Sequence, residues 1–394
     1  MINETNVNLL KLRDIAVFHD LDSMSMITGF SKQLLYYYAV KMDSDKYNIF
    51  EIPKKNGTKR KIYKPRFALK MLQRWVLENI LYKVECSEFA FAFSKGSGSP
   101  LKKNAAMHVD KIFMLKMDFE NFFPSITRQR VVYFFNGLGY NVSISNWLAN
   151  LCTYDGILPQ GSVTAPYLSN LICIKLDSRI SKYCSRRDIV YSRYADDLTF
   201  SGNNKIVLKS IYGMIKKISE SESFLINKEK TRFVGKKSKK DVTGVVIHDT
   251  ILKAPKEYKR LIRAMIHRAI VSGDYSKNHV IKGYIAYVSS IEEGYIEKIK
   301  KYINSFSRKD VGFISSTTEA FNANKLFVDI LDLRDTSSYT DTEEEYFCDM
   351  ASNRYDFLKE RGLKIPNEII LFDNSSESAI SEAQDEIDYG DIPF

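Results

Sequence analysis

Three aspartates stand where apolar runs of this sequence end. Asp118 closes the run Met114-Leu115-Lys116-Met117, and Asp196-Asp197 lies between two short apolar runs, 189–194 and 198–201. Successive side chains of a regular strand point to opposite faces, but at a tight turn two adjacent carboxylates can converge. An Asp-Asp pair is ordinarily a solvated turn. Flanking strands, a preceding tyrosine and a second strand-ending aspartate upstream argue against that here. Clustered carboxylates suit phosphoryl transfer from a nucleoside triphosphate. Two Mg²⁺ ions, with Mn²⁺ as a substitute, would activate a primer 3′-hydroxyl and neutralise the pyrophosphate leaving group. Mg²⁺ takes oxygen ligands and keeps some waters, so a few carboxylates plus substrate phosphates suffice.

The elements that must position these residues follow from pattern. Segments 8–20 and 28–42 read as helices, the second opened by Thr28 as N-cap. Segments 47–53 and 60–65 alternate like strands around Asn56-Gly57, a hairpin signal. Pro65 is expected to start a helix to Val84, with Leu69, Leu72, Val76 and Ile80 on one face. A loop-rich stretch, 86–103, precedes a strand at 112–118. Helices are expected at 127–138, 143–152, 164–184 and 204–221, strands near 231–234 and 241–248, and three helices within 256–304. The fold class is α+β: a β-hairpin with helices, a mixed or antiparallel sheet with helices, then a helical subdomain.

Charge is unevenly spread. Residues 341–394 hold 15 acidic and 4 basic side chains, a balance of −11, so the first 340 residues carry +21 of the net +10. A body that basic attracts a polyanion, because each neutralised phosphate releases counterions. No run of about 18 apolar residues exists and the N-terminus lacks a basic-then-apolar signal, so no membrane role is expected. Five cysteines, Cys86, Cys152, Cys173, Cys184 and Cys348, show no CxxC spacing. They argue against a disulfide framework or zinc site and for a reducing cytoplasm.

Tyr194-Ala195-Asp196-Asp197 matches the YxDD signature of reverse transcriptases, and Asp118-Phe119 their first metal-binding motif. Leu158-Pro159-Gln160-Gly161-Ser162-Val163-Thr164-Ala165-Pro166 resembles the motif between them that lines the nucleotide pocket. The resemblance covers residues 25–310 and implies a right-hand polymerase fold. Fingers would occupy 1–110, palm 111–248 and a helical thumb 249–310, with an acidic extension at 311–394. It makes Asp118, Asp196, Asp197 and the Phe119 carbonyl metal ligands. Phe123, five residues after Asp118, stands where the family carries the steric gate that excludes a ribonucleotide's 2′-hydroxyl, although one of Phe122 and Phe123 must pack in the core. Gln160 and Gly161 would meet the incoming dNTP, unless Gly161 is a turn former only. Lys54, Lys59 and Arg60 resemble the fingers cations that contact triphosphate oxygens; a solvated hairpin is the alternative. Lys230, in Asn227-Lys228-Glu229-Lys230-Thr231, would assist pyrophosphate departure or touch a backbone phosphate.

Two shorter matches narrow the family. Asn104-Ala105-Ala106-Met107-His108 resembles the NAxxH element, and Val242-Thr243-Gly244 the VTG element, of retron reverse transcriptases. Asn104, His108, Val242, Thr243 and Gly244 are thereby expected at an RNA interface, with a satisfied core histidine and a strand kink as the plainer readings. In the thumb, Lys256, Arg260, Arg263 and Arg268 would track phosphates, with Tyr284 and Tyr287 stacking on unpaired bases. The resemblance implies a cognate non-coding RNA, priming from a guanosine 2′-hydroxyl, a branched RNA–DNA product (msDNA), and antiphage defence with an effector protein encoded nearby. Other bacterial reverse transcriptases remain open: a group II intron maturase, a diversity-generating enzyme or an abortive-infection polymerase. A catalytically idle RNA-binding scaffold is the reading outside enzymes, and the intact carboxylate set speaks against it. Short family members end near the thumb, so residues 311–394 are expected to bind a protein partner or guard the basic body.

Overall fold

The computed structural model describes residues 5–307, apart from 42–44, 54–56, 58, 95 and 97. Lys54, Cys348 and the acidic extension lie outside the described residues. The described chain forms two compact units, one of residues 5–84 and 126–165, the other of residues 85–125 and 166–307.

In the first unit β1 (Tyr47–Pro53) pairs antiparallel with β2 (Lys59–Pro65), Pro53 opposite Lys59. This is the hairpin expected around Asn56-Gly57. Pro65 ends β2 instead of opening the next helix, which runs Phe67–Asn79 after an extended Arg66 and buries Leu69, Leu72 and Val76. A 3-10 turn at Leu81–Lys83 follows. Thr28 is likewise a last helical residue rather than a cap. Helix Leu21–Thr28 stops at Gly29 in the left-handed region, and Ser31 caps the next helix by accepting from Leu34 N–H. Buried Gln73 ties the hairpin's base to the segment after it. Its Nε2 donates to Tyr47 Oη and the Leu151 carbonyl, each at 2.7 Å, and its Oε1 accepts from Val163 N–H at 3.2 Å.

The second unit is built on β3 (Phe113–Glu120), a strand covered on both faces: Met114 is buried on the face of Lys116 and Asp118, and Leu115, Met117 and Phe119 on the other. It lies antiparallel to three strands: β5 (Asp197–Gly202) on one edge, β6 (Leu225–Ile226) and β7 (Arg232–Val234) on the other. β4 (Val190–Tyr194) extends the sheet beyond β5. β3 runs two residues past the expected end because β6 pairs Phe119 and Glu120. The helix expected over 164–184 is two, Ala165–Ile172 and Ile174–Ser185, broken at Cys173. A three-stranded sheet, β8 (Lys240–Val242), β9 (Val245–His248) and β10 (Ile251–Lys253), leads to helices Lys256–Ser272, Asn278–Ile291 and Tyr295–Ser307. These helices share one apolar core with the strands, where Val242, Val245 and Ile247 meet Ile262, Ile285 and Ile303. Among the described residues no helix is long and apolar enough to cross a membrane.

Candidate active site

The carboxylates are placed by register. Asp118 on β3 lies directly opposite Asp197 on β5, and Tyr194 opposite Asp197 leaves Ala195-Asp196 as a two-residue turn. Phe119 N–H donates to the Asp196 carbonyl at 3.0 Å, and Asn227 N–H to the Asp118 carbonyl at 2.8 Å. Ala195 has φ +56°, a left-handed conformation that a side chain disfavours. The strain persists because the turn is held from beneath. Arg193 Nη1 donates to the Ala195 carbonyl at 3.2 Å and to Asn170 Oδ1 at 2.9 Å. Its Nε and Nη2 form a bidentate pair with Asp177 at 2.8 and 2.7 Å, and Tyr191 Oη donates to the same carboxylate at 2.7 Å. Arg193 and Asp177 are both fully buried. Burial alone disfavours the guanidinium's charge, but the Asp177 carboxylate outweighs it and holds the group protonated.

The Asp197 side chain is exposed, yet the walls around it strip away bulk water. That desolvation, with the negative charges of Asp196 and Asp118, pushes its pKa up to about 6. Lys230 answers part of this charge. Its Nζ donates to both Asp118 oxygens, and the bond raises the lysine's pKa. A cavity of about 590 Å³ opens over these groups, lined by Asp118, Asp197, Lys116, Lys230, Arg232, Thr243 and Gly244 among others. Lys116 is two residues before Asp118 and so on the same strand face. Its ammonium donates to Asp241 at 2.9 Å.

Among the described residues no three His, Cys or carboxylate side chains stand close enough to share one metal ion. The donor chemistry nevertheless fits a hard divalent cation. Two aspartates face each other across β3 and β5, a third lies in the β4–β5 turn, and desolvation together with their mutual repulsion raises a carboxylate pKa that a cation would lower.

Phe122 and Phe123, adjacent in the turn after β3, divide between core and surface. Phe122 is buried against Phe119 and Phe224, while Phe123 remains half-exposed. In the other unit Gln160 and Gly161 clasp the hairpin. Tyr63 N–H donates to the Gln160 carbonyl at 2.8 Å, and a Cβ on Gly161 would fall 2.5 Å from the Tyr63 carbonyl oxygen. The close backbone approach at Gly161 is therefore to β2. Arg60 is exposed, and Lys59 is also exposed but pairs with Glu51 at 2.9 Å.

The expectation of RNA contacts for Asn104, His108 and Val242 is corrected by their burial, since all three are at most 1% exposed. His108 bridges the sheet, with Nδ1 2.7 Å from Ser201 Oγ and Nε2 2.7 Å from Ser192 Oγ. Desolvation, then the charge of Lys116, pulls its pKa down to about 3. Asn104 Nδ2 donates to Thr243 Oγ1 at 3.4 Å, so the two short elements meet each other. Thr243 and Gly244 form the β8–β9 turn and face the cavity, whereas Val242 is core. Lys256, Arg260, Arg263 and Arg268 all lie on the solvent face of their helix, opposite buried Ile262, Ile266 and Ile270.

Sequence reasoning missed Arg193, Asp177, Asn170 and Lys116. A signal existed for two of them, because Arg193 and Lys116 each interrupt an otherwise apolar strand, and a cation there needs a buried partner.

The sequence pattern of the family described as reverse transcriptase (RNA-dependent DNA polymerase) matches residues 52–247. The chain is 36% identical over 310 residues to the retron Ec86 reverse transcriptase of Escherichia coli, covering 77% of this chain and 95% of that protein. It is 31% identical over 309 residues to the retron Mx65 reverse transcriptase of Myxococcus xanthus, covering 73% and 72% respectively. Among solved structures, a foamy viral protease-reverse transcriptase bound to double-stranded DNA covers 71% of this chain and 44% of its own, at 16% identity and a TM-score of 0.39.

Proposed function

This chain belongs to the retron-type reverse transcriptases and is an RNA-directed DNA polymerase, and from that premise we propose that it copies part of a structured non-coding RNA into a branched, RNA-linked single-stranded DNA. The observation that carries the catalytic half is the pairing of Asp118 with Asp197 across β3 and β5, with Asp196 in the turn between strands. In this reading Asp118, Asp196, Asp197 and the Phe119 carbonyl would hold two Mg²⁺ ions, which when bound would supply Lewis acidity to the attacking and leaving oxygens. The chain's own groups do the rest. The primer hydroxyl releases its proton to water as its oxygen attacks the α-phosphorus of the dNTP, and the bond from that phosphorus to the oxygen bridging to the β-phosphate breaks, its electron pair leaving on pyrophosphate. Lys230 Nζ, within reach because it already bonds Asp118, turns to the departing pyrophosphate and gives it a proton. Phe123, half-exposed after Asp118, bars a 2′-hydroxyl. Arg60, Lys59 and Lys54 bind triphosphate oxygens from the fingers hairpin, beside Gln160 and Gly161.

RNA specificity is assigned to Thr243 and Gly244, which face the cavity, and to the exposed thumb cations Lys256, Arg260, Arg263 and Arg268. Asn104 shapes the Thr243 turn from within. The product serves antiphage defence in the cytoplasm with an effector protein.

The test is to sequence nucleic acid that co-purifies with the full chain. A discrete short DNA, joined at one end to RNA through a branched guanosine, supports the reading. Asp196→Asn with Asp197→Asn should remove that DNA and leave bound RNA; persistence of the DNA would overturn the site assignment.

A further inference from the structure

Phe93 is a large apolar side chain left 42% exposed, with φ +57°, a conformation a bulky residue rarely adopts. The chain on its N-terminal side is clamped. Ala92 is fully buried and its carbonyl accepts from Asn170 Nδ2 at 2.6 Å. Arg193 N–H donates to the Phe89 carbonyl at 2.8 Å, and its carbonyl accepts from Phe91 N–H at 2.9 Å. Asn170 in turn accepts from Arg193 Nη1. The network that holds the Ala195 turn therefore also fixes the stalk on which Phe93 stands.

What Phe93 meets is Phe123, their ring centroids 6.4 Å apart and tilted 54°. Phe123 has Phe122 edge-on at 5.4 Å, and Phe122 is locked in the core by Phe119 and Phe224. Phe123 thus stands between a core wall and an exposed one. A strained residue that persists without being buried points to a role, since strain survives where surrounding structure imposes it.

We propose that Phe93 is a positioning residue for sugar selection: it holds the Phe123 ring from turning away, so that Phe123 stays against the position of the 2′-carbon. This rests on the reading of Phe123 as the steric gate. Without Phe93 the Phe123 ring gains freedom, and a ribonucleotide enters that a fixed ring would refuse. Phe93 touches neither substrate nor metal ligand in this account, so dNTP incorporation should hardly change.

The experiment measures kcat/KM for a dNTP and the matching rNTP, using the full chain on an RNA template with a DNA primer. Phe123→Ala should abolish most discrimination. Phe93→Ala should lower the dNTP/rNTP ratio about threefold to tenfold, the range one aromatic pair supports, through a rise in the rNTP value alone. Phe93→Tyr should keep the ratio. Phe93→Gly suits the positive φ, so it should fold at least as stably as the parent and still lose discrimination. In the double variant Phe93→Ala, Phe123→Ala, the ratio should equal that of Phe123→Ala. If Phe123→Ala relaxes selection while Phe93→Ala and Phe93→Gly leave the ratio unchanged, or lower dNTP and rNTP use alike, the proposal is wrong and the gate reading stands. If Phe123→Ala itself leaves the ratio intact, the gate reading fails and the proposal falls with it.

Discussion

Lys230 Nζ donates to both carboxylate oxygens of Asp118, at 2.8 and 3.0 Å. The bond neutralises Asp118 in the resting chain, and the proposed mechanism sets the lysine a second task in conflict with it, serving the leaving group during the reaction. Lys230→Met removes both. The half-saturating Mg²⁺ concentration for primer extension should fall, because the ion no longer competes with an ammonium for Asp118. The maximal rate should fall about 100-fold if Lys230 supplies the pyrophosphate's proton. Metal titrations of both proteins separate the effects; an unchanged maximal rate would leave Lys230 with the electrostatic task alone.

Asp197 gives a prediction of opposite sign to the usual carboxylate. Its folded pKa, about 6, lies above the ordinary 3.8, so between those values the folded chain binds more protons than the unfolded one. Its contribution to stability is present below pH 4 and is lost as pH rises through 6. In metal-free buffer at pH 7.5, Asp197→Asn should therefore melt higher than the parent while losing polymerase activity. Adding Mg²⁺ should raise the melting temperature of the parent more than that of the variant. A lower metal-free melting temperature for Asp197→Asn would contradict the repulsion described among the three aspartates.

The ion pair Arg193–Asp177 is fully buried, so removing one partner strands a charge. Asp177→Asn should destabilise the chain by about 3–5 kcal/mol, read as a denaturant midpoint shift. The paired replacement Arg193→Met with Asp177→Leu should be milder in stability, yet still slow DNA synthesis, because nothing then ties the Ala195 carbonyl. Equal activity in the paired variant and the parent would show that the turn keeps its shape unaided.

These residues mark where the sequence was readable. Local pattern was enough for the carboxylate-bearing strands, for the hairpin at Asn56-Gly57 and for the three helices after Lys256, because each depends on periodicity or turn chemistry within a few residues. It failed where distant segments decide. β6 has only two residues and exists because Phe119 and Glu120 offer an edge. Thr28 has an N-cap's side chain, but the following Gly29 ends a helix there. His108 looks like a polar contact in sequence and is instead enclosed by serines 84 and 93 residues away. The same applies to Arg193, whose partners Asp177 and Asn170 sit on two different helices.

Gly161 allows a test within the first unit. With φ +115°, and with space for a Cβ filled by the Tyr63 carbonyl, Gly161→Ala must shift either β2 or the loop. The strain should cost about 1–3 kcal/mol and loosen the hairpin from the Gln160 segment. Since both are assigned to the incoming nucleotide, KM for dNTP should rise with kcat changing less. A lowered melting temperature with unaltered KM would confine Gly161 to folding.

His108 supplies the acid limb of stability. Its folded pKa, about 3, lies below the ordinary 6.5, so between these values the unfolded chain binds the extra proton. Stability is unaffected by this group above pH 6.5 and declines as pH falls from there towards 3. For a single histidine the loss amounts to about 2 kcal/mol at pH 5. The cause is structural: both ring nitrogens are 2.7 Å from serine hydroxyls in a fully buried position, so protonation must proceed without water and beside Lys116. His108→Gln keeps hydrogen-bonding groups but cannot titrate. It should be less stable than the parent at pH 7.5, where the imidazole's geometry is lost, while showing a shallower decline between pH 6.5 and 4.5. Urea midpoints for both proteins across that interval decide the matter, and parallel curves would mean that some other group sets the acid limb.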